Sequence, residues 1–243
     1  MTRSFALVAT ATTAAAFVSS IALADVRVFH GSPDAPAVDV FVNTLPGAGD
    51  PAITGLGFES ITPYIGLPTG LYDFRVTPAG AIDPIVINAE GVSIDGDTDY
   101  TIAAGGFLAD IQPFIFIDDN TVDAGNARVR FIHLSPDAPA VDVNVAGLSD
   151  PLFDGTMFGM SGGYATVPAG SYDIDVTLDA DGSQVLGPLN LSLDAGAVYT
   201  IFATGSAAAG TLNAVVVVDV IPAPGALALL GLAGLAGRRR RRG

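Results

Sequence analysis

The sequence predicts an all-β protein of two tandem antiparallel β-sandwich domains, immunoglobulin-like or transthyretin-like. A signal peptide at the N-terminus and a short apolar helix at the C-terminus are expected to flank them. Three observations carry this expectation. One phrase occurs twice: Ser32-Pro33-Asp34-Ala35-Pro36-Ala37-Val38-Asp39-Val40 returns 103 residues later as Ser135-Pro136-Asp137-Ala138-Pro139-Ala140-Val141-Asp142-Val143, each copy two residues after a histidine, His30 or His133. Apolar and polar residues alternate after both copies. Gly and Pro punctuate the chain at intervals of about ten residues, as at Pro68-Thr69-Gly70, Pro78-Ala79-Gly80 and Pro168-Ala169-Gly170. A period near 100 residues is too long for a solenoid unit, so it marks a duplicated globular domain.

Residues 1–24 have the form of a secretory signal peptide. Arg3 supplies the basic start, Phe5 to Leu23 contain no acid or base, and Ala22-Leu23-Ala24 is a small-residue cleavage signature. The first domain is expected over 25–122. Val38, Val40 and Val42 alternate there with Asp39, Phe41 and Asn43, and Tyr72, Phe74 and Val76 with Asp73, Arg75 and Thr77. The second domain is expected over 127–220. Val141, Val143 and Val145 alternate with Asp142, Asn144 and Ala146, and Tyr172, Ile174 and Val176 with Asp173, Asp175 and Thr177. One apolar and one polar face is the pattern of half-buried antiparallel strands. Tyr100-Thr101-Ile102 likewise returns as Tyr199-Thr200-Ile201. Asp118 to Asn126, polar and turn-rich, has the composition of a linker, and Asp219 to Pro224 that of a second boundary. Alternation places Phe41 on the polar face, opposite in character to its counterpart Asn144, where it would serve a contact with another domain or a partner.

Residues 221–243 form a tail of different character. Pro222-Ala223-Pro224-Gly225 leads into an uncharged stretch to Gly237, closed by the arginines Arg238 to Arg242. As a helix, Val220 to Gly237 would extend roughly 27 Å, short against a hydrocarbon core of about 30 Å. The arginines would stay on the cytoplasmic side. This tail resembles the PEP-CTERM sorting signal of Gram-negative bacteria, which has a Pro-Glu-Pro tripeptide, a short apolar helix and a basic end, and is handled by an exosortase. Ala223 stands where that signal has Glu. The resemblance implies delivery to the cell surface or beyond, at least transient anchoring at the C-terminus, and a sorting enzyme as partner.

Charge narrows the partners. All 25 acids lie between Asp25 and Asp219, where the basic residues are Arg27, Arg75, Arg128 and Arg130, so this body carries about −21 formal charges against −15 for the whole chain. Such a surface repels nucleic acid and anionic headgroups, which leaves membrane contact to the tail. Half of the residues are hydrophobic, which argues against disorder. Cysteine is absent, which excludes disulfides, thiol catalysis and cysteine-ligated metal.

The residues with chemical potential are few. His30, Ser32 and Asp34, and again His133, Ser135 and Asp137, offer the residue types of a hydrolytic triad, which must converge in space. Pro33 and Pro136 interrupt the strand, and Ser-Pro-Asp-Ala-Pro reads as a turn in which Asp bonds its own backbone. These residues are therefore expected to be structural, together with Asp39 and Asp142 on the polar strand faces, and no catalytic residue is assigned. A metal shell of His30, Asp34 and Asp39 would be unspecific. Asp95-Gly96-Asp97-Thr98-Asp99 has the alternating acids of a calcium loop, with Asp95, Asp97 and Asp99 as ligands, but Tyr100 occupies the sixth place, where such loops have Gly. A hairpin loop before a strand explains these acids as well and is the expected reading, so no cofactor is expected and calcium is the one this pattern admits. Tyr64, Tyr72 and Tyr100, with Tyr164, Tyr172 and Tyr199, would tether turns or form a carbohydrate platform.

The duplicated phrase and the strands behind it are similar to the bacterial domain-of-unknown-function family 4397, over about residues 25–220. That family is extracytoplasmic and often occurs as tandem copies. The resemblance implies no activity. The function expected is therefore that of an exported, non-catalytic binding or structural protein of the cell surface or extracellular matrix, with envelope or extracellular polysaccharide or protein as partner. A calcium-dependent adhesion module is the alternative, and a hydrolase acting at the His-x-Ser-Pro-Asp turn is a third class.

Overall fold

A computed structural model describes residues 22–220. Alternation and turns divide the described residues into sixteen strands. The first half holds β1 (Leu23–His30), β2 (Val38–Val42), β3 (Ile53–Leu56), β4 (Ile65–Pro68), β5 (Gly70–Pro78), β6 (Ile87–Ile94), β7 (Asp99–Gly105) and β8 (Gln112–Asp118). The second half holds β9 (Asn126–His133), β10 (Val141–Val145), β11 (Phe153–Thr156), β12 (Ser161–Pro168), β13 (Gly170–Leu178), β14 (Gln184–Leu193), β15 (Val198–Thr204) and β16 (Asn213–Val220). Among the described residues the helical content is one 3-10 turn at Leu108–Asp110. Four four-stranded sheets result: β4-β1-β7-β8 and β3-β2-β5-β6, then β12-β9-β15-β16 and β11-β10-β13-β14. The second pair repeats the topology of the first.

The sheets are not purely antiparallel, as the alternation alone implied. β1 runs parallel to β7 from Val26↔Tyr100 to His30↔Ala104, and β9 parallel to β15 from Arg128↔Val198 to His133↔Ala203. The chain leaves β1 for the facing sheet, returns once as the antiparallel edge strand β4, crosses again as β5 and β6, and comes back as β7 in the direction of β1. Each opening strand thus ends up inside its sheet with neighbours on both sides.

Each half closes over its own apolar core. In the second half, Val129, Phe131, Val141, Val143, Ile174, Val176 and Ile201 pack as one cluster between the two sheets. In the first, the equivalent space is filled by two clusters, one around Val26, Phe74 and Ile102 and one around Val38, Val40 and Val76. Two positions differ at this point, because Val28 and Ile53 stand where the repeat has Phe131 and Phe153. The fully buried Phe131 ring packs beside Phe153. The smaller Val28 leaves an apolar cavity of about 30 Å³, also lined by Val40, Phe74, Val76 and Ile102.

A third interface joins the halves. β1 and β9 are buried on both faces over much of their length, where a half-buried strand would show one polar face. Val26 faces its own core, while Phe29 packs with Ala103, Phe116, Ile132, Leu134 and Phe202 in a cluster drawn from both halves. Phe29 and Phe202 stack with centroids 4.0 Å apart and planes 9° from parallel.

Four expectations meet the structure at the chain ends and at Phe41. β1 opens at Leu23, with Ala24 fully buried and paired with Leu67, so the strand extends two residues ahead of Asp25. The rest of the expected leader, residues 1–21, lies outside the described residues. So do residues 221–243, with the expected apolar helix and sorting signal, and among the described residues no helix is long and apolar enough to cross a membrane. Asp219 and Val220 belong to β16 rather than to a linker. Phe41 is 3% exposed beside the 47–51 loop and residues 80–82, so its own half covers it and it is closed to a partner.

Truncating Phe131→Ala should cost about 3–5 kcal/mol of unfolding free energy. Val28→Ile, growing into the first-half cavity, should gain about 0.5–1 kcal/mol. Urea denaturation of both variants checks the pair, and equal and opposite packing of the two halves would give neither result.

Candidate functional site

The duplicated phrase folds into the same hydrogen-bonded turn in both halves. His30 ends β1 fully buried, and Ser32 N–H donates to His30 Nδ1 at 3.3 Å. That contact leaves the ring proton on Nε2, which donates to Pro36 O at 2.9 Å. In the second half Ser135 N–H donates to His133 Nδ1 at 3.2 Å, and His133 Nε2 donates to Pro139 O at 3.1 Å. Both ring nitrogens of each histidine are thus taken up by the backbone of the turn. Burial pushes both histidines below their ordinary pKa, outweighing the carbonyl contacts, so the neutral ring is favoured. Ser32 and Ser135 are as buried as the histidines, and their hydroxyls have no partner.

The motif acids bond backbone too. Asp34 Oδ1 accepts from Leu108 N at 2.7 Å, and Asp137 accepts from Ala207 N, Ala208 N and Ser206 Oγ, which ties the turn to the loop after β7 or β15. Asp39 accepts from Gly55 N and Gly80 N, each at 2.7 Å, and Asp142 accepts from Gly155 N at 2.8 Å. Tyr72 and Tyr172 hydroxyls donate to Pro68 O and Pro168 O, while Tyr100 and Tyr199 hydroxyls accept from Asp95 N and Asp194 N. His30, Asp34 and Asp39 serve three different turns and do not converge.

The acids proposed for calcium are not gathered either. Asp99 gives one oxygen to Asp25 N at 3.2 Å and the other to Asn120 Nδ2 at 3.0 Å, while Asp95 and Asp97 are exposed. Among the described residues, the group of three acids whose oxygens all lie within 4.8 Å of one another is Asp142, Asp154 and Asp179 in the second half. The first half has Thr54 and Ala79 in the places of Asp154 and Asp179.

The most densely connected polar group lies at the seam between the halves. Arg27 on β1 reaches across to Asp219 on β16, Nη1 to Oδ1 at 2.7 Å, and Arg130 on β9 reaches back to Asp118 on β8, Nη2 to Oδ1 at 2.7 Å. All four side chains are 3% exposed or less. Within each half a threonine links base and acid. Thr101 Oγ1 accepts from Arg27 Nε at 2.8 Å and donates to Asp118 Oδ2 at 2.6 Å; Thr200 Oγ1 accepts from Arg130 Nε at 3.2 Å and donates to Asp219 Oδ2 at 2.6 Å. Tyr64 adds a hydroxyl bond to Asp118 Oδ2 at 2.6 Å and lies under the Arg27 guanidinium at 4.6 Å. Tyr164 lies under Arg130 at 4.9 Å and Arg128 at 4.8 Å.

The charges support one another. Burial works against the Arg27 cation, but the Asp219 and Asp118 carboxylates hold its pKa above the usual value. Burial, then the Asp118 charge, pushes the Tyr64 hydroxyl up, and burial pushes Tyr164 up to about 12. Outside the network, Arg128 holds Asp119 well below the carboxylate range, mainly by their 2.6 Å hydrogen bond.

Sequence reasoning missed this group because Asp118 and Asp219 fell in stretches whose polarity suggested linkers. Two signals could have found it. The acids sit 101 residues apart, close to the period of the repeat, and three of the body's four arginines fall on the two opening strands.

Removing one partner of a buried pair leaves the other charge stranded. Arg130→Met should therefore cost about 3–5 kcal/mol, and Arg130→Met with Asp118→Leu much less, by chemical denaturation. The histidine shifts set a separate window. A base whose folded pKa is lowered contributes stability that is complete above its unfolded value near 6.5 and is lost as pH falls toward the folded value. The urea midpoint should thus drop between about pH 7.5 and pH 5. His30→Gln with His133→Gln should flatten that slope; an unchanged slope would assign it to other groups.

Comparison with known proteins adds the family. Among solved structures, similarity is found to one described as α-glucan binding by a streptococcal virulence factor, 12% identical over 74% of this chain and 92% of that chain, TM-score 0.27. A candidate cell adhesion protein from Bacteroides uniformis is 12% identical over 82% and 98%, TM-score 0.26. A family CBM26 module from Eubacterium rectale in complex with maltoheptaose is 9% identical over 82% and 98%, TM-score 0.23. At those scores the likenesses carry no argument about what this chain binds. No curated protein matches it. The family described as "Domain of unknown function (DUF4397)" matches residues 24–144 and 146–229. With nearly the whole described body matched, including both duplicated turns, the chain belongs to the DUF4397 family.

Proposed function

We propose that this chain is an exported, non-catalytic binding or structural protein of the cell surface or extracellular matrix, with envelope or extracellular polysaccharide or protein as its partner. One observation carries the reading: the groups best suited to chemistry are committed to the fold. Each motif histidine spends both ring nitrogens on its own turn, and each motif serine is closed to solvent. A nucleophile and base serving a hydrolase must face a substrate. What the body offers outward is acidic and hydroxyl-bearing loop surface on a rigid scaffold, which favours hydrogen-bonded recognition of neutral, hydroxyl-rich polymers over anionic ones. The signal peptide and the PEP-CTERM-like tail, acted on by a sorting enzyme, would deliver the body, whose units are 25–122 and 127–220. Calcium-dependent adhesion through Asp95, Asp97 and Asp99 would first require their carboxylates to be brought together.

The mature body, presented to an array of neutral and acidic glycans and to isolated envelope matrix, should retain neutral polysaccharide or matrix protein and ignore anionic polymers. Retention of nothing from either source would overturn the proposal. Calorimetry with calcium in the same buffer separates the alternative: saturable heat that Asp97→Asn abolishes would move the function to the adhesion class.

A further inference from the structure

The seam pairs two halves that share a topology but not a surface relief. On β1, β7 and β8 the registers Phe29↔Ala103 and Ala103↔Phe114 set a large, a small and a large side chain in one row. On β9, β15 and β16 the registers Ile132↔Phe202 and Phe202↔Val215 set a medium, a large and a medium one. The first row has a hollow at Ala103 and the second a ridge at Phe202, and Phe202 stacks on Phe29 at 4.0 Å.

A second contact differs in the same sense. Glu59 and Gly159 occupy matching loop positions, since Glu59 N donates to His30 O and Gly159 N to His133 O. Both residues have positive φ, 62° and 77°. The Glu59 carboxylate crosses the seam to accept from Thr204 Oγ1 at 2.7 Å and from Asn213 Nδ2 at 3.0 and 3.1 Å. Gly159 instead admits Phe114 of the first half, whose ring a Cβ at 159 would strike. Phe114 meets Phe158 edge-on at 5.3 Å.

From these two contacts we infer that the seam is a self-discriminating interaction surface: each half is shaped to bind the other half and to reject a copy of itself. Two first halves would set hollow against hollow and drive Phe114 toward Glu59. Two second halves would set ridge against ridge and lose the Glu59 bonds. The ion pairs do not discriminate, because a like pair could still match Arg27 with Asp118 or Arg130 with Asp219. Shape selects the partner and charge tightens the fit. The linker then serves concentration rather than recognition, and the two sandwiches present one rigid surface.

The full mature chain, folded with a protease site inserted after the exposed Val122 and then cleaved, tests this. Gel filtration with light scattering at micromolar concentration should give one peak at the mass of the intact body, holding both fragments in equal amounts. Separation of the fragments would overturn the inference. Gly159→Glu, which copies the residue and positive φ of Glu59, should divide that peak into species of half the mass, each retaining its β-sheet circular dichroism. Adding Phe114→Ala should restore the single peak. Persistent association of the Gly159→Glu protein, failure of Phe114→Ala to restore it, or a dimer of first halves among the released fragments would each overturn the shape argument.

Discussion

Everything distinctive in this structure depends on burying two arginines at one seam. A guanidinium removed from water is costly unless its charge and its N–H groups are met. Arg27 and Arg130 meet the charge demand by exchange, each finding its shorter carboxylate contact in the opposite half, while Arg27 Nη2 stays buried without a hydrogen-bond partner. Neither arginine is fully compensated by its own half. Thr101 and Thr200 hold base and acid in line, and the burial of all four charged side chains strengthens their contacts.

That constraint explains the burial of the opening strands. A surface strand of a sandwich keeps one polar face, but β1 and β9 are each covered twice, by the facing sheet of their own half and by the other half. The parallel pairing of β1 with β7 and of β9 with β15 puts these strands inside their sheets, where both faces can be covered. The conserved topology of the two halves makes the ionic exchange nearly symmetric. Their divergent side chains, Phe29 against Ile132 and Ala103 against Phe202, make the apolar contact asymmetric.

The architecture was legible to the extent that it is local. The duplicated phrase, the alternating valines and the turn residues each report their own strand or turn, and they imply two β-units without any knowledge of contacts. The turn at Ser32 and Ser135 could be recognised because proline and aspartate act on neighbouring backbone. The direction of β7 relative to β1 could not, since it depends on which sheet the intervening strands enter. Nor could Asp118 and Asp219 be told from linker acids, because an acid at the end of a strand has the same sequence signature whether it meets water or an arginine from a distant half.

Phe41 and Asp99 show the same limit from the other side. Alternation correctly puts Phe41 off the sandwich core, yet the 47–51 loop and residues 80–82 of its own half cover it. Asp99 has calcium-like spacing, yet Asp25 and Asn120, distant in sequence, take its oxygens. By itself the sequence determined the all-β class, the duplication, the acidic character of the body and the turn chemistry of the repeated phrase, because periodicity, composition and backbone preference act over a few residues. Only the tertiary structure decided strand direction, the seam and which acids are buried. Those depend on pairings across 70 to 190 residues, where the choice of partner is made by packing and desolvation rather than by spacing.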